Sequence, residues 1–368
     1  MRNTLKYWLA LNELKDIGHV KIKSLVEYFG SAEAAWKADI DLLKGIKGFG
    51  DVSAKAFEAA RKEVNVEEEY KNISEYQNIK ILTLLDGDYP ENLKNIYDPP
   101  PVLYLKGNLP QKKSIAIVGT RSASHYGLEV AERFAFELSA LGFTIVSGMA
   151  EGIDTAAHKG ALRAGCSTVA VFGCGLDIIF PPSNRELASQ IFERGAIVSE
   201  FPMNTPPDKW TFPKRNRIIS GLSLGVIVVE GHYDSGAMIT AKQALEQGRE
   251  VFAVPGLIDS QKSKGPHWLI KQGAKLVETV DDVLEELKMI LPEMQNRREI
   301  IGSKPGRDFS NLSEKEIMLV EALSNEPVHI DLLSSKTKLP INEISSFLSM
   351  LEIKGFVKQL PGKMFISK

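Results

Sequence analysis

From about Ser114 the chain alternates short β-branched apolar runs with amphipathic helical stretches. This βαβ succession is typical of an α/β fold built on a parallel, doubly wound sheet. The sequence therefore predicts a mostly parallel central sheet, with its ligand site outside the carboxyl ends of the strands. The apolar runs are residues 115–118, 144–147, 168–172, 196–199, 225–229 and 250–254, and the helical stretches are residues 128–141, 153–164, 184–194 and 237–247.

The length of 368 residues indicates more than one domain, because single cores usually stop growing at roughly 250–300 residues. Residues 1–70 are helical in period and broken by glycines, so we predict an all-helical N-terminal domain. The break from Leu43 to Gly50 resembles a helix-hairpin-helix turn that presents amides to a DNA phosphate, or it is a tight turn without a ligand. The doubly wound domain is predicted to cover residues 71–287.

The remaining chain divides into a linker and a small module. Prolines, glycines and Asn296-Arg-Arg298 predict a linker over residues 288–310. In residues 311–368, Ser313 and Glu316 form a capping-box pattern, two further helical stretches follow, and Pro361-Gly362 marks a hairpin. Three helices and a hairpin predict a winged helix, which binds either DNA or a protein.

The composition limits where a charged partner could bind. A formal net charge of −2 gives no bulk attraction for nucleic acid, so any such site must be a local patch. The two cysteines fit a reducing compartment, and no apolar run approaches the roughly 18 residues of a membrane span. We therefore expect a cytoplasmic protein with no membrane contact.

The turn after the first predicted parallel strand is a candidate anion site. Gly119, Thr120, Arg121 and Ser122 would aim backbone amides and one guanidinium at a phosphate, next to Ser147-Gly148 at the following strand end. The spacing fits neither a dinucleotide fingerprint nor a P-loop. The alternative is that Arg121 belongs to a structural ion pair.

A second candidate segment, Lys209–Arg217, is the densest basic and aromatic cluster in the chain. Its cations are interleaved with Trp210 and Phe212, which suits base stacking beside phosphate contacts in a strand-end loop. The alternative is a solvated charged face. The candidate groups are Lys209, Phe212, Lys214, Arg215, Asn216 and Arg217.

Two constellations could support catalysis. Glu151, Asp154 and His158 have the spacing of one helix face, but they equally suit a charged helix start with a histidine in a polar pocket. Cys174 lies between two glycines, where a small residue in a tight turn explains it as well as a nucleophile does. We therefore predict no catalytic residue, no metal and no cofactor.

Five motifs, in the same order, resemble the DprA/Smf family of DNA-processing proteins. That resemblance implies a Rossmann-like domain between an N-terminal domain resembling SAM or helix-hairpin-helix domains and a C-terminal winged helix. It also implies a homodimer, formed through the Rossmann-like domain, that binds and protects incoming single-stranded DNA in natural transformation and loads the RecA recombinase without catalysis. The motifs are Ile117-Val-Gly-Thr-Arg121, Val146-Ser-Gly-Met-Ala-Glu-Gly-Ile-Asp-Thr-Ala-Ala-His158, Phe172-Gly-Cys-Gly-Leu-Asp177, Phe212-Pro-Lys-Arg-Asn-Arg-Ile-Ile-Ser-Gly-Leu-Ser223 and Ser235-Gly-Ala-Met-Ile-Thr-Ala241.

By position, the resemblance makes Arg121 and Lys209 phosphate contacts and Phe212 a base-stacking ring, with Arg215 and Arg217 lining the same pocket. The alternative is a nucleotide-metabolising enzyme similar to the phosphoribohydrolases. Those enzymes carry a catalytic Glu after a glycine-rich turn, whereas the segment from Asp234 to Ala241 has no acidic residue after Asp234. A pure protein scaffold would leave the Lys209–Arg217 cluster unexplained.

Overall fold

The computed structural model forms two compact units, Met1–Leu291 and Pro292–Lys368. All but the first residue of the predicted linker lies outside the described residues. The described residues are 2–14, 17–46, 48–111, 113–288, 312–323 and 327–367.

The first unit begins with short helices that pack around aromatic side chains. Trp36 and Phe49 contact Phe57 edge to face, with ring centroids 6.3 and 6.2 Å apart. The predicted domain boundary at residue 70 stays a prediction, and it would fall inside the last of these helices. The helices are α1 (Arg2–Asn12), α2 (His19–Phe29), α3 (Ala32–Lys37), α4 (Ile40–Leu43), α5 (Asp51–Glu63) and α6 (Val66–Ser74).

A nine-stranded sheet in the described residues forms the centre of this unit. Its strands are β1 (Ile79–Thr83), β2 (Val102–Gly107), β3 (Ser114–Val118), β4 (Thr144–Ser147), β5 (Thr168–Val171), β6 (Ala196–Ser199), β7 (Gly225–Val228), β8 (Glu250–Ala253) and β9 (Lys275–Leu276). Their order is β1-β2-β6-β5-β4-β3-β7-β8-β9, and β3 to β9 pair in parallel. The predicted doubly wound fold is confirmed.

Two antiparallel strands were missed by the sequence analysis. β1 pairs with β2, and β2 joins the parallel sheet through β6. Prolines at positions 90 and 99–101 precede β2 and obscure its strand pattern, although residues 102–105 are buried.

Helices cover both faces of the sheet, so every residue of β3 to β7 is buried and the strands read as continuous apolar runs. A Cβ at Gly160 would lie 2.3 Å from the Glu132 carbonyl oxygen, so glycine permits the close contact of α8 with α9. The helices are α7 (Glu91–Lys94), α8 (His125–Ala140), α9 (Ile153–Arg163), α10 (Arg185–Arg194), α11 (Thr211–Leu222), α12 (Gly236–Glu246), α13 (Lys264–Lys271) and α14 (Val280–Leu287).

The expected strand-end loop over Lys209–Arg217 is wrong in one respect, because most of it is the start of helix α11. Thr211 begins the helix, and its hydroxyl donates to the Asp208 carbonyl at 2.9 Å. Pro213 lies in the first turn, where its missing N–H leaves no intrahelical hydrogen bond unmade.

The second unit is a winged helix, as predicted. Ser313 and Glu316 form the predicted capping box, and the sheet has the order β10-β12-β11. Leu333, Leu348 and Leu351 are fully buried in its core. Its elements are α15 (Glu314–Ala322), β10 (Val328–His329), α16 (Ile330–Thr337), α17 (Ile341–Ile353), β11 (Val357–Leu360) and β12 (Met364–Ser367). Across the described ranges of both units, no helix combines the length and the apolar character needed to cross a membrane.

Candidate nucleic-acid interface

The strand order reverses at β3, which pairs with β4 on one side and with β7 on the other. Such a switch point leaves a crevice at the carboxyl ends of the strands, where open α/β sheets bind their ligands. A cavity of about 270 Å³ lies there. We call it the main cavity, and it is lined by Val118, Gly119, Thr120, Arg121, Ala150, Asp154, Phe212, Arg215, Asn216, Ile219, Ser235, Gly236, Ala237 and Thr240.

The turn after β3 is held by Glu230, which follows β7. The Glu230 carboxylate accepts from the Ser124 backbone N–H at 2.9 Å and from the Ser124 hydroxyl, and its carbonyl accepts from Thr120 N–H at 2.7 Å. A Cβ at Gly119 would lie 2.9 Å from the same carbonyl. Ser122 N–H donates to the Thr120 hydroxyl at 3.3 Å. The backbone amides of Thr120 and Ser122, which we expected to face an anion, are therefore engaged inside the protein.

Arg121 is the exposed cation of this turn. Its guanidinium carbon lies 5.1 Å from the centre of the half-buried Phe212 ring, which is within cation–π range. Among the described residues Arg121 has no ion-pair partner, so the alternative of a structural ion pair is not observed there. The ring fixes the guanidinium at the mouth of the main cavity and leaves its N–H groups available to a phosphate.

Behind Phe212 lies a buried cation, Arg215, which is only 5% exposed. Its guanidinium donates to the carbonyls of Gly148 and Val171 and, through Nε, to Asn216 Oδ1 at 3.1 Å. Burial lowers the pKa of Arg215 to about 10, while nearby Asp154 acts in the opposite direction. A Cβ at Gly148 would lie 2.7 Å from the guanidinium, so glycine makes room for this charge at the cavity wall.

Arg217 does not line the main cavity. Its side chain bonds to the Glu200 carboxylate, lies 3.0 Å from Asp98 Oδ2 and contacts His19 Nδ1 at 2.8 Å. Residues i and i+2 of a helix face different directions, so α11 turns Arg215 to the strand ends and Arg217 toward the N-terminal helices. The expectation that Arg215 and Arg217 share one pocket is corrected by this geometry.

The other predicted groups divide into exposed and internal ones. Lys209 and Lys214 are exposed, and Lys214 Nζ lies 4.7 Å above the ring of Trp210, which is 51% exposed. Neither lysine lines the main cavity. Ser147 is fully buried and donates to the Ile117 carbonyl, while Asn216 donates to the Gly236 carbonyl at 3.1 Å.

The acidic and histidine groups after β4 serve the local structure. Asp154 accepts from the backbone N–H of Gly148 and Ala150 at 3.1 and 3.3 Å, and burial raises its pKa. His158 is fully buried against the Thr168 hydroxyl, and burial lowers its pKa to about 3. Both contacts agree with the interpretation of a charged helix start and a histidine in a polar pocket. Burial also raises the pKa of Cys174 to about 11, which keeps it a thiol at neutral pH.

Two residues of this edge were missed from the sequence. Glu230 follows a strand end and was not considered, although a buried acid beside a turn is a usual helix-terminus partner. Phe180 comes next to the cavity from a loop distant in sequence. Only the strand-end rule could have drawn attention to them.

The fold and this edge define a class: a two-part protein with a Rossmann-like sheet, a basic and aromatic strand-end site and a winged helix. The model of the family described as DNA recombination-mediator protein A matches residues 80–288, and that of the DprA winged helix domain matches residues 304–363. The chain belongs to the DprA/Smf family of DNA-processing proteins.

Known relatives agree with this assignment. Protein Smf of Synechocystis sp. is 36% identical, with 98% of each chain covered, and DNA processing protein DprA of Bacillus subtilis is 42% identical over 68% of this chain and 88% of its own. The X-ray structure of DprA from Streptococcus pneumoniae has a TM-score of 0.67 and 37% identity, covering 75% of this chain and 95% of that one. A structure of the Helicobacter pylori protein, described by its single-stranded DNA binding mode, has a TM-score of 0.53 and 30% identity, covering 59% and 98%.

Replacing Arg217 with alanine is expected to destabilise the first unit by about 3–5 kcal/mol, because the buried Glu200 carboxylate loses its cation. Urea unfolding measures the difference. Lys159→Ala, which removes an exposed cation on α9, should change stability by less than about 0.5 kcal/mol. Equal losses for the two variants would show that the buried pair contributes nothing.

His158 should make the fold sensitive to acid. Because its pKa falls from 6.5 to about 3 on folding, the unfolded chain binds a proton in that range that the native state does not. Stability should therefore fall as the pH is lowered from about 6.5 to 3, by up to about 1.4 kcal/mol per pH unit. In urea unfolding at several pH values, His158→Gln should give a shallower dependence and the exposed-histidine control His125→Gln an unchanged one. Identical slopes would refute this.

Proposed function

We propose that this edge of the sheet binds single-stranded DNA through its phosphates and stacked bases. The observation that carries the proposal is Arg121, exposed and stacked on Phe212 at the mouth of the main cavity, with the buried charge of Arg215 behind it. A cationic groove beside aromatic rings is how proteins hold a single strand with little sequence preference. The relative from Helicobacter pylori, described by its single-stranded DNA binding mode, supports this choice of ligand.

Within the predicted set we propose four roles. Arg121, Lys209 and Lys214 are exposed and contact phosphates, and the half-buried Phe212 offers its ring edge to a base. The turn residues Gly119, Thr120 and Ser122, together with Gly148 and Arg215, shape the cavity. Ser147, Asn216 and Arg217 hold the strand ends and α11 from inside.

We further propose that binding occurs without catalysis. The residues most suited to acid, base or nucleophile roles are engaged in the fold or unreactive: His158 is fully buried, Asp154 accepts hydrogen bonds from two backbone amides, and Cys174 has a raised pKa. A nucleotide-hydrolysis assay that found turnover, lost on Asp154→Asn, would contradict this proposal and favour the enzyme alternative.

We propose that two copies pair through the Rossmann-like domain. Exposed apolar side chains follow β8, with Leu257 80%, Ile258 76% and Trp268 44% exposed, and pairing would cover them. Two strand-end sites on one DNA strand would raise avidity through effective concentration. We also propose that this dimer coats incoming DNA in the cytoplasm during natural transformation and passes it to RecA. If adding the protein left the rate of RecA assembly on the strand unchanged, that result would contradict this role.

Replacing Arg121 with alanine should lower affinity for a labelled oligo-dT strand by roughly 10- to 100-fold at low salt, because a charged hydrogen bond to phosphate is lost. The slope of log affinity against log salt should become shallower by about 0.7 for one phosphate contact. Fluorescence anisotropy measures both. The matched control is Arg133→Ala, which removes an exposed arginine on α8 that lines neither the turn nor the cavity. Coinciding curves for the two variants would overturn the proposed site.

The dimer proposal predicts a solution mass of twice the 40.7 kDa chain. Ile258→Glu should give a monomer at micromolar concentration, because a charge would be buried in the interface. Light scattering after gel filtration measures the mass. Leu42→Glu, at a 55% exposed leucine on α4, is the control. A wild-type monomer would contradict the proposal.

A further inference from the structure

A second cavity lies between the N-terminal helices and the sheet. Its volume is about 450 Å³, within the roughly 300–1,000 Å³ that is usual for small-molecule sites. It is formed by α1, α6, β2 and the loop after β6, and it shares no lining residue with the main cavity. We call it the acidic cavity, because its charged and aromatic walls are Glu13, Glu69, Glu75, Tyr76 and Tyr104.

The charge of this cavity has one sign. Three carboxylates line it, and no lysine, arginine or histidine does. Glu69 is half-buried, and burial together with the charge of Glu68 raises its pKa. The ammonium group of Lys6, which α1 brings to α6, bonds to Glu67 instead. Within the described ranges Glu69 and Glu75 form no ion pair, so the cavity keeps negative charge that the protein does not neutralise.

Tyrosine rings complete the walls. Tyr104 is 2% exposed; burial raises its pKa, and the carboxylates of Glu13 and Glu69 act in the same direction. Both carboxylates therefore lie within electrostatic reach of one phenol on the inner wall. The Tyr76 hydroxyl accepts from the side-chain amide of Asn204 at 3.2 Å, which fixes that ring. Carboxylates and aromatic rings together are suitable surroundings for an ammonium group.

The spacing of the acids indicates which kind of cation fits. In the described part of the chain, no three acidic, histidine or cysteine groups are arranged to hold a metal ion. The carboxylates thus suit separate charges on one longer ligand. Leu9, Ile73 and Met203 also line the cavity and offer apolar surface to methylene groups. We propose that the acidic cavity binds a free aliphatic polyamine, with its ammonium groups at the carboxylates and its methylene chain on the apolar wall.

A lysine side chain of a partner protein has the same chemistry but brings only one positive charge. One ammonium group leaves part of the carboxylate charge unneutralised, whereas two or three ammonium groups on one chain meet it more fully. The number of acids therefore favours the free polyamine over the lysine. Binding would also tie α6 to the loop after β6, because both contribute to the walls.

Isothermal titration of the full chain with spermidine, at low salt and without DNA, tests the proposal. Wild type should bind one equivalent. Glu69→Gln should weaken the affinity by roughly 10- to 100-fold, because a charge-assisted hydrogen bond is lost. Asn72→Lys, which adds an ammonium group at an exposed wall position, should weaken it as well. The control is Glu193→Gln, at an exposed glutamate on α10 outside the cavity, and it should bind like wild type.

A parallel titration with N-acetyl-lysine methylamide distinguishes the two sources of the ammonium group. This probe should bind more weakly than spermidine by roughly tenfold or more, since it lacks a second charge. Equal or tighter binding of the lysine probe would assign the cavity to a partner protein and overturn the polyamine.

Two further results would overturn the site itself. Equal affinities of Glu69→Gln and Glu193→Gln for spermidine would show only a general attraction of a polycation to acidic groups. Failure of the wild-type protein to bind spermidine would do the same. Neither result bears on the proposed DNA site, because the titrations contain no DNA.

Discussion

Helix α11 carries two buried arginines that face in different directions, and the geometry of the site depends on both. Arg217 is held by Glu200, Asp98 and His19, so the helix is anchored to the strand ends and to the N-terminal helices. The buried charge of Arg217 is tolerated because carboxylates surround it. Burial raises the pKa of Glu200, and the neighbouring Arg217 acts in the opposite direction. With the helix fixed, Arg215 lies at the cavity wall and Phe212 beneath Arg121.

The positive charge at this edge of the sheet comes from side chains and not from a helix N-terminus. In this protein the N-terminus of α8, which such folds commonly offer to a phosphate, is occupied by the Glu230 carboxylate. Positive charge at the edge therefore comes from side chains, with Arg121 exposed and Arg215 buried. Side chains on an open rim can follow an extended backbone, whereas a helix terminus grips a single phosphate. This difference favours a polymeric ligand over a mononucleotide.

Aromatic residues come to this edge from separate parts of the chain. Phe212 belongs to α11, and Phe180 comes from the segment after β5, yet their rings are in contact. Arg121 lies over one of these rings and lines the main cavity. Cations and aromatic rings are thus combined in one small cluster, which is how a chain with a net charge of −2 can carry the nucleic-acid site that we propose.

The sequence by itself determined the parallel sheet, the winged helix and the family, because β-branched runs, capping patterns and short motifs are local signals. It also indicated Arg121 and Phe212 as neighbours, since strand ends share one edge. Only the tertiary structure decided that Arg217 turns inward to Glu200, that Glu230 fills the α8 terminus and that Phe180 joins Phe212. Each of these depends on contacts between residues far apart in the chain, and the direction of a side chain from a helix is set by what packs around it.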